Sequence, residues 1–84
     1  MLGDSILVAD GGNHRVRLVT QSGTVSTLVG SGLVGSSNGQ GTAATFYQPF
    51  SARVLVDGRI IITEYANHLV RIVSSTLAVT TFAG

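Results

Sequence analysis

Cysteine, tryptophan and lysine are all missing from this chain, and proline occurs only once. Without thiols there are no disulfides and no thiolate zinc site, and the redox compartment stays undetermined. Without lysine a phosphate-binding loop of the Gly-x-x-x-x-Gly-Lys type is impossible. Acids are scarce: Asp4, Asp10, Asp57 and Glu64 are the whole set, and no two stand in a recognisable hydrolase pairing. Five arginines carry all the fixed positive charge, for a net charge of +1. They are spread along the chain and do not form the basic patch that nucleic-acid binding needs, so nucleic acid is not the expected partner. No apolar run reaches the roughly 18 residues of a membrane helix, and Met1-Leu2-Gly3-Asp4 is unlike a secretory leader, so no membrane role is expected.

Length is short too. Eighty-four residues make one domain at most, and a chain this size buries only about 60–65% of its unfolded surface. The composition is nevertheless that of a folded protein, with 44% apolar and 11% charged residues, opposite to the signature of disorder. Eleven glycines among many Val, Ile and Thr point to strands separated by tight turns.

The chain contains a repeat. Ser5–Gly30 aligns without a gap on Arg59–Gly84, 54 residues further on. Ile6 meets Ile60, Asn13-His14 meets Asn67-His68, Arg17 meets Arg71, and Gly30 meets Gly84; Asp10 meets another acid, Glu64. Each copy reads as three strands: Ile6–Asp10, Val16–Thr20 and Val25–Val29 in the first, Ile60–Glu64, Leu69–Val73 and Val79–Phe82 in the second. A further strand over Ala52–Val56 is closed by Asp57-Gly58, a strong hairpin dipeptide. The triplets Val54-Leu55-Val56 and Ile60-Ile61-Ile62 lack in–out alternation, as expected of strands covered on both faces. The chain is therefore read as all-β, with stacked sheets of the propeller kind.

The repeated motif also carries a family resemblance. Val8-Ala9-Asp10 followed by Asn13-His14-Arg15-Val16-Arg17 resembles the hallmark of NHL repeats, and the second copy contains Asn67-His68-Leu69 literally. The joining segment, Asn38-Gly39-Gln40-Gly41-Thr42-Ala43-Ala44-Thr45-Phe46 with Pro49, is similar to the family's inter-blade loop. The resemblance spans nearly the whole chain. It implies an incomplete β-propeller of about two four-stranded antiparallel blades, seven strands in the order b-c-d then a-b-c-d. Residues 1–30 would form a partial blade, 31–48 a glycine-rich inter-blade loop, and 49–84 a complete blade. Phe50-Ser51 replaces the family's usual x-Gly after the proline.

What the resemblance implies for function is a non-catalytic module that binds a protein or other ligand on its b–c and d–a loop face. The module would be completed by self-association or by flanking repeats. RNA-binding propellers and metal-dependent lyase or lactonase propellers are the alternatives within the family. His14, Arg15, Tyr47, Arg53 and His68 are the candidate binding residues on that face. Asp10, Asn13, Arg17, Glu64, Asn67 and Arg71 are read as the structural motif. In it the asparagines hold left-handed turns, the acids accept turn amides, and the arginines pair with a blade acid. Phe46 is expected in the core, with Tyr47 at the surface. Gly30-Ser31-Gly32-Leu33-Val34-Gly35 spells Gly-x-Gly-x-x-Gly, but no helix start follows it, so no dinucleotide site is expected. No cofactor, metal or catalytic residue is expected, and the compartment is left open.

Overall fold

A computed structural model describes residues 5–84; Met1–Asp4, with the candidate acid Asp4, lie outside them. The fold is all-β, with two antiparallel sheets and no α-helix among the described residues. In the first sheet β1 (Ile6–Asp10), β2 (Arg15–Val19) and β3 (Val25–Val29) lie in chain order. The second contains β4 (Gly39–Gln40), β5 (Pro49–Val54), β6 (Ile60–Glu64), β7 (Leu69–Val73) and β8 (Ala78–Ala83), ordered β4-β8-β7-β6-β5.

The two copies fold alike. A register shift interrupts the β2–β3 ladder between Val16 and Arg17, and the β7–β8 ladder is interrupted between Val70 and Arg71. These are the same positions, 54 residues apart. His14 and His68 both sit in the left-handed region, at φ of 57° and 54°. The second hairpin turn repeats as well. Gly23 N–H donates to the Thr20 carbonyl in one copy and Leu77 N–H to the Ser74 carbonyl in the other. Gly23 takes the required positive φ without cost, whereas Leu77 adopts φ 68°, an unfavourable state for a branched side chain. Its packing against the core offsets that.

Two sequence expectations need correction. The second sheet has five strands, because β4 emerges from the glycine-rich segment and pairs with Val79 and Ala78 of β8. Glycine-rich composition hid it: two residues without an apolar side chain give no strand signal. Secondly, β5 starts at Pro49 and ends at Val54, so the strand expected at Ala52–Val56 is displaced toward the N-terminus. The proline begins an edge strand, where its missing N–H is tolerated. The turn takes over at Leu55, whose N–H donates to the Arg59 carbonyl at 2.7 Å. Val54 and Val56 are consequently exposed, and the triplet is not covered on both faces.

The sheets stack through one core. Side chains of cross-strand partners share a face. On the first sheet, Leu7 and Val16 therefore belong to one face, and Ile6, Val8, Arg17, Val19 and Val25 to the other. Val16 and Val29 join Ala44, Phe46, Ile60, Ile62, Val73 and Val79 in a single buried cluster, with Leu7, Leu28, Ala52 and Leu77 against it. One face of the first sheet thus packs on the opposite kind of face of the second. The first sheet's other face is left open.

Candidate functional site

Two constellations are built by the repeat, one in each copy. In the second copy β6 ends on Glu64 and β7 carries Arg71 to its side; the two meet at 2.8 Å with both side chains fully buried. Asn67 Nδ2 donates to Glu64 Oε1 at 2.9 Å and to the Gly35 carbonyl at 3.1 Å. The remaining bonds reach into the joining segment. The Arg71 guanidinium donates to the carbonyls of Thr45 and Ser37 and to Asn38 Oδ1, each at 3.0 Å. Tyr47 N–H donates to Glu64 Oε1 at 2.7 Å, and the Phe46 ring lies 5.1 Å below the guanidinium. A buried charge pair is tolerable only when its remaining valences are met, and here residues 35–47 meet most of them.

The first copy holds the same circuit without a segment upon it. Asn13 Nδ2 donates to Asp10 Oδ2 at 2.9 Å, and Arg17 approaches the same oxygen at 3.4 Å. The Arg17 and Asp10 side chains remain 24% and 27% exposed. Arg17 Nε, like Arg71 Nε in the second copy, is buried and has no partner among the described residues. The asparagine assignment is corrected here. Neither Asn13 nor Asn67 has positive φ, since that conformation falls on the histidine after each. The asparagine amides instead bond the acids three residues earlier.

The expected binding residues divide. His14 Nδ1 accepts the Gln48 N–H at 3.1 Å, and its ring meets Tyr47 edge-on at a centroid distance of 5.7 Å. His14 thus ties the first copy to the segment leading into the second. His68, its equivalent, is exposed. The Arg15 guanidinium lies over Gly32, where a β-carbon would collide with it. Arg53 is not on this rim. It pairs with Ile61, whereas Pro49 at the other end of β5 pairs with Glu64 beside the β6–β7 turn. Four residues of strand separate the two, about 13 Å at the usual rise. Arg53 is exposed and makes no ion pair among the described residues.

Nor does the whole of 30–48 lie on the rim. Gly41 N–H donates to the Leu77 carbonyl at 2.8 Å, and the Gln40 side-chain amide donates to the Thr76 carbonyl. The middle of the segment is therefore held at the β7–β8 turn. Its beginning is close-packed: at Gly30 (φ 101°) a β-carbon would stand 2.9 Å from Arg15 Cα and 3.0 Å from the His14 carbonyl.

Sequence reading missed a rim cleft of about 420 Å³ lined by Gly11, Gly12, Gln48, Phe50 and Tyr65. Phe50 is 75% and Tyr65 68% exposed. The available signal was an aromatic after the only proline, together with an aromatic in a turn where the first copy has glycine. The same segment also spells Gly-x-Ser-x-Gly, at Gly35-Ser36-Ser37-Asn38-Gly39. The nucleophile elbow of that spelling needs a strand-to-helix turn. Here no helix follows, the Ser37 carbonyl accepts from Arg71, and its N–H donates to Thr45 Oγ1 at 2.8 Å. Among the described residues no three His, Cys, Asp or Glu side chains gather as a metal site would require.

The chain matches no family model and no curated protein.

Proposed function

We propose that this chain is a non-catalytic binding module of the NHL-repeat, β-propeller type, whose units lean on further repeats or on other copies and whose rim cleft takes a protein segment. The observation that carries the reading is the equivalence of the two copies. The register break and left-handed histidine recur at the same offset, and one sheet's inner face packs on the next sheet's outer face. Such head-to-tail packing is heterologous and leaves a complementary face open at each end. The rim supplies two exposed aromatics beside glycine backbone, a composition suited to anchoring an apolar side chain of a partner.

Two measurements test it. Sedimentation of the full chain at micromolar concentration is expected to show self-association; a compact, well-folded monomer overturns the stacking. Selection from a displayed peptide library is expected to yield binders lost in the Phe50→Ser, Tyr65→Ser double variant. Binders retained equally by that variant overturn the rim assignment.

A further inference from the structure

We infer that His14 is a pH-sensitive latch on the joining segment, closed while its imidazole is neutral and released when the ring takes up a proton, and that it sets one wall of the rim cleft. The consequence for partner binding rests on the rim reading above; the latch itself does not. The bond fixes the protonation state of the ring. His14 Nδ1 accepts the Gln48 N–H at 3.1 Å, so that nitrogen carries a lone pair and the ring's single proton sits on Nε2. The imidazolium has N–H at both nitrogens and accepts nothing. A proton arriving from solvent at Nδ1 therefore sets donor against donor and ends the bond. Gln48 is exposed and His14 only half-buried, so water reaches the pair without any prior opening.

Gln48 needs holding. Its φ is 52°, in the left-handed region that side chains disfavour, and Pro49 follows it, which pushes the preceding residue toward extended backbone. Such a conformation persists only while its surroundings enforce it. Two bonds do so here: the N–H donates to His14, and the carbonyl accepts the Tyr65 N–H at 3.0 Å. Protonation of His14 removes one of the two. Gln48, Phe50 and Tyr65 all line the cleft, so relaxation at Gln48 moves its wall. The titratable and charged groups around the ring are otherwise engaged. The Tyr47 phenol ring meets it edge-on from the joining segment. β3 ends beside it on uncharged Gly30, and β5 begins on uncharged Pro49. On its own turn Asp10 holds Asn13 and Arg17, and Arg15 lies over Gly32. Glu64 of β6 is shared among Arg71, Asn67 and the Tyr47 N–H. The second copy supplies a control: His68 has the same left-handed backbone, at φ 54°, but is exposed.

The test is two-dimensional NMR of the full isotope-labelled chain, titrated from about pH 8 to about pH 5, the range over which histidine side chains change charge. The amide signals of Gln48 and Tyr65 are expected to move with the same midpoint as the His14 ring. His14→Asn keeps an acceptor, tolerates the left-handed backbone and does not titrate, so in that variant both amides should stay still. His68→Ala should behave as the parent does. If acid unfolds the chain before the titration is complete, the parent should lose its strand dichroism at a higher pH than His14→Asn. Gln48 and Tyr65 amides that stay fixed while His14 titrates, equal movement in His14→Asn, or equal unfolding pH for the two proteins overturns the latch. Peptides selected on the rim at the alkaline end should bind the parent about fivefold more weakly at the acid end, the size of one neutral hydrogen bond. Their affinity for His14→Asn should not change. Equal affinity of the parent at both ends overturns the coupling to the cleft and leaves the rim reading standing. Failure to select any rim peptide overturns the rim reading, and the amide titration then decides the latch by itself.

Discussion

The first and second copies share a backbone plan but not an environment, and the contrast shows what the joining segment does. Asp10–Arg17 is a long, half-wet contact; Glu64–Arg71 is short and dry. The acid differs by one methylene, which lets Glu64 use both oxygens. One takes Asn67 and Tyr47, and the other takes Arg71. Asp10 shares a single oxygen between its two partners. The larger difference is cover: residues 35–47 lie on one circuit and nothing described lies on the other. A motif repeated faithfully in sequence is thus sealed in one copy and half-exposed in the other.

The sharpest way to break this comparison is to remove each arginine in turn. Arg71→Ala leaves a buried carboxylate uncompensated and should cost about 3–5 kcal/mol, whereas Arg17→Ala should cost less than about 1 kcal/mol. Urea denaturation of both variants measures the difference, and equal losses would mean that the circuits are equivalent after all. Next in size, Ile62→Ala should cost about 2–5 kcal/mol through the cavity it leaves. Val8→Ala at the equivalent open position should stay within about 0.5 kcal/mol. The histidines form a smaller pair. His14→Ala strips the acceptor from Gln48 N–H and should lose about 1 kcal/mol, while His68→Ala should be near neutral in the same assay.

Smallest of all is Asp57, outside both circuits. Its backbone and side-chain hydrogen bonds to Arg59 hold its carboxyl below the usual carboxylate range. A lowered carboxylate contributes stability above its unfolded value, near pH 4, and loses that contribution as pH falls through the folded value. Asp57→Asn should therefore shift the melting temperature slightly at pH 7 and progressively less as pH falls below about 4. A shift independent of pH would point to the turn rather than to the charge.

Much of the fold was legible because the repeat constrains it. Ile6–Asp10, Val25–Val29, Ile60–Glu64 and Leu69–Val73 are strands at the expected bounds, each a β-branched run between turn residues. What escaped was whatever depends on partners distant in the chain. β4 exists because β8 offers an edge, not because Gly39-Gln40 favours a strand. The left-handed site was expected at asparagine from its intrinsic tolerance. The asparagine amide is instead drawn to the acid, and the strained conformation passes to histidine. The rim cleft is assembled from the β1–β2 turn, the β6–β7 turn and the start of β5, so no local pattern could announce it.

The bond from Gln48 to His14, made while residues 35–47 lie on the second circuit, gives the interlock a direction. The joining segment seals the copy that follows it and is hooked by the turn of the copy before it, so loosening either end of it disturbs both copies at once.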